Sequence, residues 1–309
     1  MDILVLMSTY NGEKYLKVQL DSILSQLEVT THFAIRDDGS SDGTFGILQQ
    51  YKNEYPDRFD ILIKGSNLGP SASFAELVSM AQIDKYSYFA FGDQDDYWMP
   101  QKLISGINKL KQMDSDGPKL YLSNLSVTDE NLNVRFLVYK DKDVTPIPKC
   151  CFVDFYASCN TFVCNREALA LMKDAKPHND VYVDVWYFFV CVFMGNVCYD
   201  PNSYILFRRY GGNASGSREQ GLKLLLKRLE KLKNMIIYNG GAMRRTMAIE
   251  MLNKYGNQLD TEKVHILKTI AEYQDSFYKK CKLIFDPKVK SRSMMRNFHM
   301  VIRVLLNQF

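Results

Sequence analysis

The sequence predicts an α/β fold built on a parallel, doubly wound sheet. Two observations carry that prediction. Through the first 115 residues, short apolar runs alternate with segments whose apolar residues recur three and four apart. Each run also ends in a polar, turn-forming loop, as strands do where they feed the ligand-binding edge of such a sheet.

The elements follow in order. ILVLMS at 3–8 reads as the first strand, and EKYLKVQLDSILSQ behind it as a one-sided helix. HFAIR at 32–36 and GTFGILQQYKNEY repeat the pair, as do FDILIK at 59–64 and SASFAELVSMAQ, and YSYFAF at 86–91 is the fourth strand. The four loops at the strand ends are STYNGE, RDDGSSDGT, KGSNLGP and GDQDDYW, which gather on one edge. A further helix is expected after Met99 and Pro100. From 119 to 210 the pieces are β-rich (KLYLSNLSV, VRFLVY, FYASCNTFVC and NVCYDPNSYILFRRY), interrupted by one helix at 182–194. No Gly, Ser or Pro linker separates the halves, so 1–217 is expected as one domain, with 1–115 and 116–217 as its two halves, and 218–309 as a basic helical C-terminal region.

Composition narrows the function classes. With 309 residues, 46% hydrophobic and 24% charged, the chain can bury a large core. A net charge of +4 does not point to a nucleic-acid partner. The N-terminus is neither a signal peptide nor a spanning helix, and YFFVCVFMG is too short to cross a bilayer, so a cytoplasmic protein is expected. Seven cysteines without a C-x-x-C pair imply reduced thiols, and with four scattered histidines they give no zinc site.

The densest chemistry lies in Asp93-Gln94-Asp95-Asp96, where three carboxylates crowd behind an apolar strand. Such repulsion needs a cation or raised pKa values to relieve it. A hard divalent cation gripping nucleotide phosphates is one reading. An aspartyl nucleophile of a haloacid-dehalogenase-like phosphatase is another, weakened by Tyr97 where Thr or Val is expected. The third is a solvated turn capping the next helix, which needs only one acid. In RDDGSSDGT, Asp38, Ser40, Asp42 and Gly43 mimic a calcium loop, but Gln49 at its twelfth position and the strand-to-helix flanks exclude calcium. Asp42 suits a helix cap. Asp38, at the strand end, can accept hydrogen bonds from a base edge.

Taken together, MSTYNGEKYL, IRDDGSSDGT, GSNLGPSASF and FGDQDDYWMPQKL resemble, in order and spacing, the inverting family 2 glycosyltransferases of GT-A fold, and within them the bacterial polysaccharide rhamnosyltransferase branch. The resemblance implies that Thr9, Asn11, Glu13 and Asp38 hold the base and ribose, that Gly65 and Asn67 line the same pocket, and that Asp93 and Asp95 form the D-x-D that binds Mg²⁺ or Mn²⁺. It further implies that Asp184, in VYVDVWYFFVCVFMG and eleven residues before Gly195, is the base for the acceptor hydroxyl. Helix capping is the plain alternative for Asp184, and Asp180 is the rival base. The family pattern usually has His where this chain has Tyr210, which leaves Arg208 and Arg209 as candidates to meet the diphosphate.

The expected reaction moves a sugar, rhamnose first, from dTDP-rhamnose or a UDP-sugar to a lipid-linked saccharide in capsule, O-antigen or cell-wall synthesis. The alternatives are the phosphatase and a non-catalytic nucleotide-binding partner of an assembly complex. Residues 218–249 carry eight Lys or Arg against two acids, interleaved with leucines, and MMRNFHMVIRVLLNQF adds an apolar face. That pattern fits attachment to an anionic membrane surface at the inner face of the cell membrane, or a helical bundle that packs its leucines on the catalytic domain or on a second subunit, as in a homodimer, and leaves its lysines in water.

Overall fold

The computed structural model describes residues 1–139, 146–154, 158–177, 181–210 and 243–309. By compactness the chain divides into one unit of residues 1–145 and 157–210 and another of 146–156 and 211–309. The expected boundary at 217 lies outside the described residues.

In the first unit, strands β1 (Asp2–Thr9), β2 (Thr30–Asp37), β3 (Phe59–Lys64) and β4 (Tyr88–Gly92) are parallel in the order β3-β2-β1-β4. Helices α1 (Leu16–Leu24), α2 (Thr44–Glu54) and α3 (Pro70–Met80) connect them. All four strands and three helices match the expected series. Ile3 through Met7 are fully buried in succession, as a strand covered on both faces must be. Phe89 and Phe91 of β4 are fully buried too, each contributing about 1.5–3 kcal/mol, which offsets the cost of holding carboxylates just beyond them.

Past β4 the sheet becomes mixed. β5 (Tyr97–Trp98) leads into α4 (Lys102–Gln112), and β6 (Lys119–Thr128) carries the short β7 (Val134–Leu137) on its edge. β8 (Val163–Asn165) runs antiparallel to both β4 and β6, while β9 (Asn196–Arg208) pairs parallel with β6 and antiparallel with β5. The described strands form one sheet of nine.

Two expectations in this half are corrected. FYASCNTFVC was expected to be a strand, yet its described part holds a 3₁₀ turn over Cys159–Thr161 and only then β8. Its polar side chains bond locally instead of joining a ladder: Thr161 Oγ1 donates to Ser158 O at 2.8 Å and Ser158 Oγ meets Asn160 Oδ1 at 2.7 Å. The helix expected at 182–194 is present as α7 (Val183–Met194), but α6 (Arg166–Asp174) precedes it. Its signals stand in the sequence: Asn165 caps Ala168 N at 3.1 Å, and Ala168, Leu169 and Met172 form a buried stripe.

Lys102, at the head of α4, is buried, and among the described residues its ammonium has no hydrogen-bond partner. Nζ lies 3.5 Å from the centre of the Trp98 ring. Burial pushes its pKa down to about 7, with the Asp96 charge acting in the opposite sense. The unfolded chain therefore binds this proton more tightly than the folded one, so the group destabilises the fold progressively as pH falls from about 10 toward about 7. Lys102→Met is expected to melt higher than wild type at pH 7, by about 2–4 °C for each kcal/mol recovered, with the gap closing as the pH is raised. Thermal denaturation across pH checks this, and a variant that melts lower at pH 7 would show the ammonium to be a net stabiliser.

The second unit contains α5 (Pro148–Cys151), α8 (Met243–Tyr255), α9 (Thr261–Ala271), α10 (Phe277–Phe285) and α11 (Met294–Leu305). Residues 218–242 of the expected basic helix lie outside the described residues. Two cations counted in it bond within the unit: Arg244 Nε donates to Phe152 O at 2.6 Å, and Arg245 Nε to Ala271 O at 2.8 Å. Among the described residues no helix is long and apolar enough to cross a membrane.

Candidate active site

The ends of β1 to β4 lie side by side, with Thr9 in register with Asp37, Asp37 with Lys64, and Met7 with Gly92. Asp37 organises the first two loops. Fully buried, it accepts from Thr9 Oγ1 at 3.0 Å, from Ser40 N at 3.0 Å and from Ser40 Oγ at 2.5 Å. Ser40 Oγ in turn accepts from Asn11 N at 2.9 Å, and Asn11 Oδ1 accepts from Ser41 N at 2.9 Å. Glu13 Oε2 accepts from Gly43 N at 2.9 Å, and Asp42 Oδ1 accepts from Thr44 N at 3.0 Å at the start of α2, whose N-cap position is Gly43 and not the expected Asp42. Thr9, Asn11 and Glu13 thus belong to one cross-braced double loop, with Asn11 in the left-handed region at φ 47°.

Asp38 fastens the third loop. Its Oδ1 accepts from Leu68 N and its Oδ2 from Gly69 N, both at 2.9 Å, and Arg36 Nη1 pairs with Oδ1. A carboxylate has about four acceptor sites, so roughly one remains for a ligand. Asp38 therefore has room for about one hydrogen bond from a base edge beside its work in the loop. Arg36 also holds Ser66 O at 3.0 Å and Glu76 Oε2 at 2.7 Å. A Cβ on Gly65 would stand 2.4 Å from Arg36 Nη2, so only glycine lets this loop close over the arginine. Asn67 is exposed, and its Oδ1 accepts from Gly69 N at 3.2 Å.

The Asp93–Asp96 loop is tied to its neighbours on three sides. Gln94 exchanges two hydrogen bonds with the backbone of Tyr10, both at 2.8 Å, and packs so closely on Gly12 that a Cβ there would stand 2.2 Å from Oε1. Asp96 is fully buried and accepts from Asn160 Nδ2 at 2.6 Å and Arg208 N at 3.3 Å. Asp95 Oδ2 accepts from the Tyr210 hydroxyl at 2.8 Å. The Tyr210 ring leans on Tyr15, centroids 4.7 Å apart. Tyr210 therefore stands at the Asp95 carboxylate, where the family pattern usually has a histidine.

Arg208 is buried and committed to the backbone: Nε donates to Asp95 O at 2.9 Å, Nη1 to Glu130 O, and the guanidinium covers the Tyr15 ring. Arg208, a candidate to meet the diphosphate, is thus already bonded within the site. It holds the Asp95 loop through its bond to Asp95 O.

Electrostatics join Asp184 to this cluster. Burial first, then the charges of Asp95 and Asp184, push the Asp93 carboxyl up to about 7. Asp95 and Asp184 are also raised by burial, and Asp96 is raised well above the usual range by burial and the charges of Asp93 and Asp95. Asp184 is the second residue of α7, where Oδ1 accepts from Val185 N at 2.8 Å, so it also answers the helix end. α7 is fixed by the Phe91–Tyr187 ring contact, centroids 6.2 Å apart, and by Val183 N donating to Ser71 Oγ at 3.3 Å. Asp180 lies outside the described residues.

The donor set suits a hard divalent cation, being all carboxylate oxygen, with carboxyls that burial and mutual charge push upward while the site holds only protein. Among the described residues no three acidic, Cys or His side chains converge into a ready-made cage. An ion held by one or two carboxylates and completed by a ligand's phosphates fits both observations.

The sequence model of the family described as glycosyl transferase family 2 matches residues 4–170, more than half of the chain. The chain belongs to this family. Glycosyl transfer is its activity class, and its fold is GT-A. The dTDP-rhamnosyl transferase RfbG of Shigella flexneri is 27% identical over 236 residues, spanning 74% of this chain and 79% of that protein. The putative glycosyltransferase EpsE of Bacillus subtilis is 36% identical over 99 residues, 32% of this chain and 34% of that protein. Among solved structures, residues 1–349 of S. aureus TarS in complex with UDP-GlcNAc superpose with a TM-score of 0.60 at 19% identity, covering 98% of this chain and 81% of that one.

Proposed function

We propose that this family 2 glycosyltransferase moves a sugar, rhamnose first, from a nucleotide diphosphate donor to a hydroxyl of a lipid-linked saccharide in surface-polysaccharide synthesis, inverting the anomeric centre. The observation that carries the reading is that Asp95 and Asp184 lie near enough for their charges to raise the buried Asp93 carboxyl, on a loop tied through Gln94 to the braced loops of β1 and β2. The long match to RfbG favours dTDP-rhamnose over UDP-sugars as donor.

Thr9, Asn11, Glu13, Asp38, Gly65 and Asn67 line the base and ribose pocket in this reading, and the bracing through Asp37 and Arg36 keeps it preformed. Asp93 and Asp95 would hold Mg²⁺ or Mn²⁺. When bound, the cation stabilises the negative charge that develops on the leaving diphosphate. Asp184 takes the proton of the acceptor hydroxyl as the oxygen attacks the anomeric carbon on the face opposite the diphosphate. Its raised pKa suits that task, since a base is most effective when its pKa approaches the working pH. Tyr210 and Gln94 keep Asp95 and its loop in place, and Asp96 anchors the same loop from below. The setting is the inner face of the cell membrane, where a lipid-linked acceptor is met.

Thermal shifts across dTDP-rhamnose, UDP-glucose, UDP-GlcNAc and GDP-mannose, each with Mn²⁺ and with EDTA, test the reading. The largest rise in melting midpoint is expected with dTDP-rhamnose and Mn²⁺, with the increment lost in EDTA. No shift with any sugar nucleotide, or phosphate release from an aryl phosphate, would overturn it.

A further inference from the structure

We propose that one face of α10 and α11 is a docking surface for an anionic phospholipid bilayer. This rests on the preceding reading only in supplying a reason for the enzyme to visit a membrane. The observation is an unusual exposure of large apolar side chains. Phe277, Tyr278, Phe285, Met294, Met295 and Phe298 are each between 62% and 88% exposed.

The two helices pack on one another, with Leu283, Met300 and Val304 buried. Each therefore already has an inward apolar stripe, which is all that a helix on a globular surface requires. α11 carries a second stripe, Met295, Phe298, Ile302 and Leu305, spaced three, four and three apart. On α10, Tyr278 and Phe285 flank the exposed Lys282 on one side of the helix. Patches of this kind on a soluble surface mark an interaction site.

Charge selects the occupant. Residues 277–309 hold eight Lys and Arg against one acid, Asp286. Three of the eight have acidic partners within the unit, Lys279 with Glu272 and Asp275, Lys288 with Glu262, and Arg296 with Asp154. A second copy of this chain would bring like charges face to face across the apolar contact, which costs association. An anionic membrane meets both features at once: aromatic and Met side chains enter the headgroup boundary while Lys and Arg stay with the lipid phosphates.

The full chain is to be sedimented, without any sugar nucleotide, with vesicles of phosphatidylglycerol and phosphatidylcholine and with vesicles of phosphatidylcholine alone. Binding is expected only to the anionic vesicles, and to weaken about tenfold or more when salt is raised several-fold. The triple variant Phe285→Ser, Met295→Ser, Phe298→Ser is expected to lose about tenfold or more in partitioning while its melting midpoint and its donor-induced thermal shift are kept. Wild type that ignores anionic vesicles, or a triple variant that binds as wild type does, overturns the proposal. A wild-type dimer that the triple variant dissolves, with no vesicle binding, assigns the face to a second copy and overturns it equally. Because no donor is present, failure here leaves the transferase reading standing, and loss of the donor shift in wild type would strike that reading alone.

Discussion

Asp95→Ala is expected to lower transfer by at least about a hundredfold and to abolish the Mn²⁺-dependent part of donor binding, while the protein folds and melts close to wild type. A cation at a developing charge supplies several kcal/mol, and about 1.4 kcal/mol is a factor of ten in rate. Stability should survive because the substitution removes a negative neighbour of Asp93 and Asp96, whose carboxyls are already forced toward the protonated state. The opposing cost is the hydrogen bond from Tyr210, about 1 kcal/mol. Tyr210→Phe is the milder companion. It keeps the ring against Tyr15 and deletes only the hydroxyl, so a loss of about tenfold in Mn²⁺ affinity is expected, in the range typical of groups that orient a metal ligand. Titration of Mn²⁺ by paramagnetic resonance, with turnover measured beside it, checks both variants. Full activity of Asp95→Ala in excess EDTA would remove the metal from the mechanism.

The parallel half of the fold was legible because its signals are local. Buried strands make continuous apolar runs, helices repeat every three or four residues, and each loop carries its own Gly, Asn or Asp. The Asp93–Asp95 pair was legible for the same reason, since its oddity is visible within four residues. The parts that were not legible depend on partners far apart in the chain. Nothing near Asp37 announces that it will bind Thr9 and Ser40, because 28 residues separate it from Thr9. Tyr210 lies 115 residues from the carboxylate it touches, and its neighbours show only that a histidine is missing. Arg208 reads in the sequence as a phosphate candidate because arginine near an anion site usually is one; its bonds to two backbone carbonyls and its place over Tyr15, which no local signal announces, make it a brace as well. The 159–161 turn failed for a further reason. Asn160 serves Asp96, and a side chain used to hold a buried carboxylate cannot be inferred from strand periodicity.

Asp184→Asn is the substitution that separates the two lives of this residue. In the first turn of α7, Asp184 favours the helix end and accepts from Val185 N; asparagine can still accept that hydrogen bond, so α7 should keep its start. The fold around it does not depend on the charge either, since Phe91 packs on Tyr187 and Val183 N bonds Ser71 regardless. Asparagine cannot take a proton from an acceptor hydroxyl, so turnover is expected to fall about 10²–10⁴-fold. Donor affinity should hold or improve, because the variant deletes one of the charges that push the Asp93 carboxyl upward. The measurement is a pair: kcat for transfer to a saccharide acceptor, and the donor-induced thermal shift in the presence of Mn²⁺. A large fall in kcat with an intact shift identifies Asp184 as the base. Near-wild-type turnover would move the proton to another group, and Asp180→Asn, assayed in parallel, would then be the variant to fail.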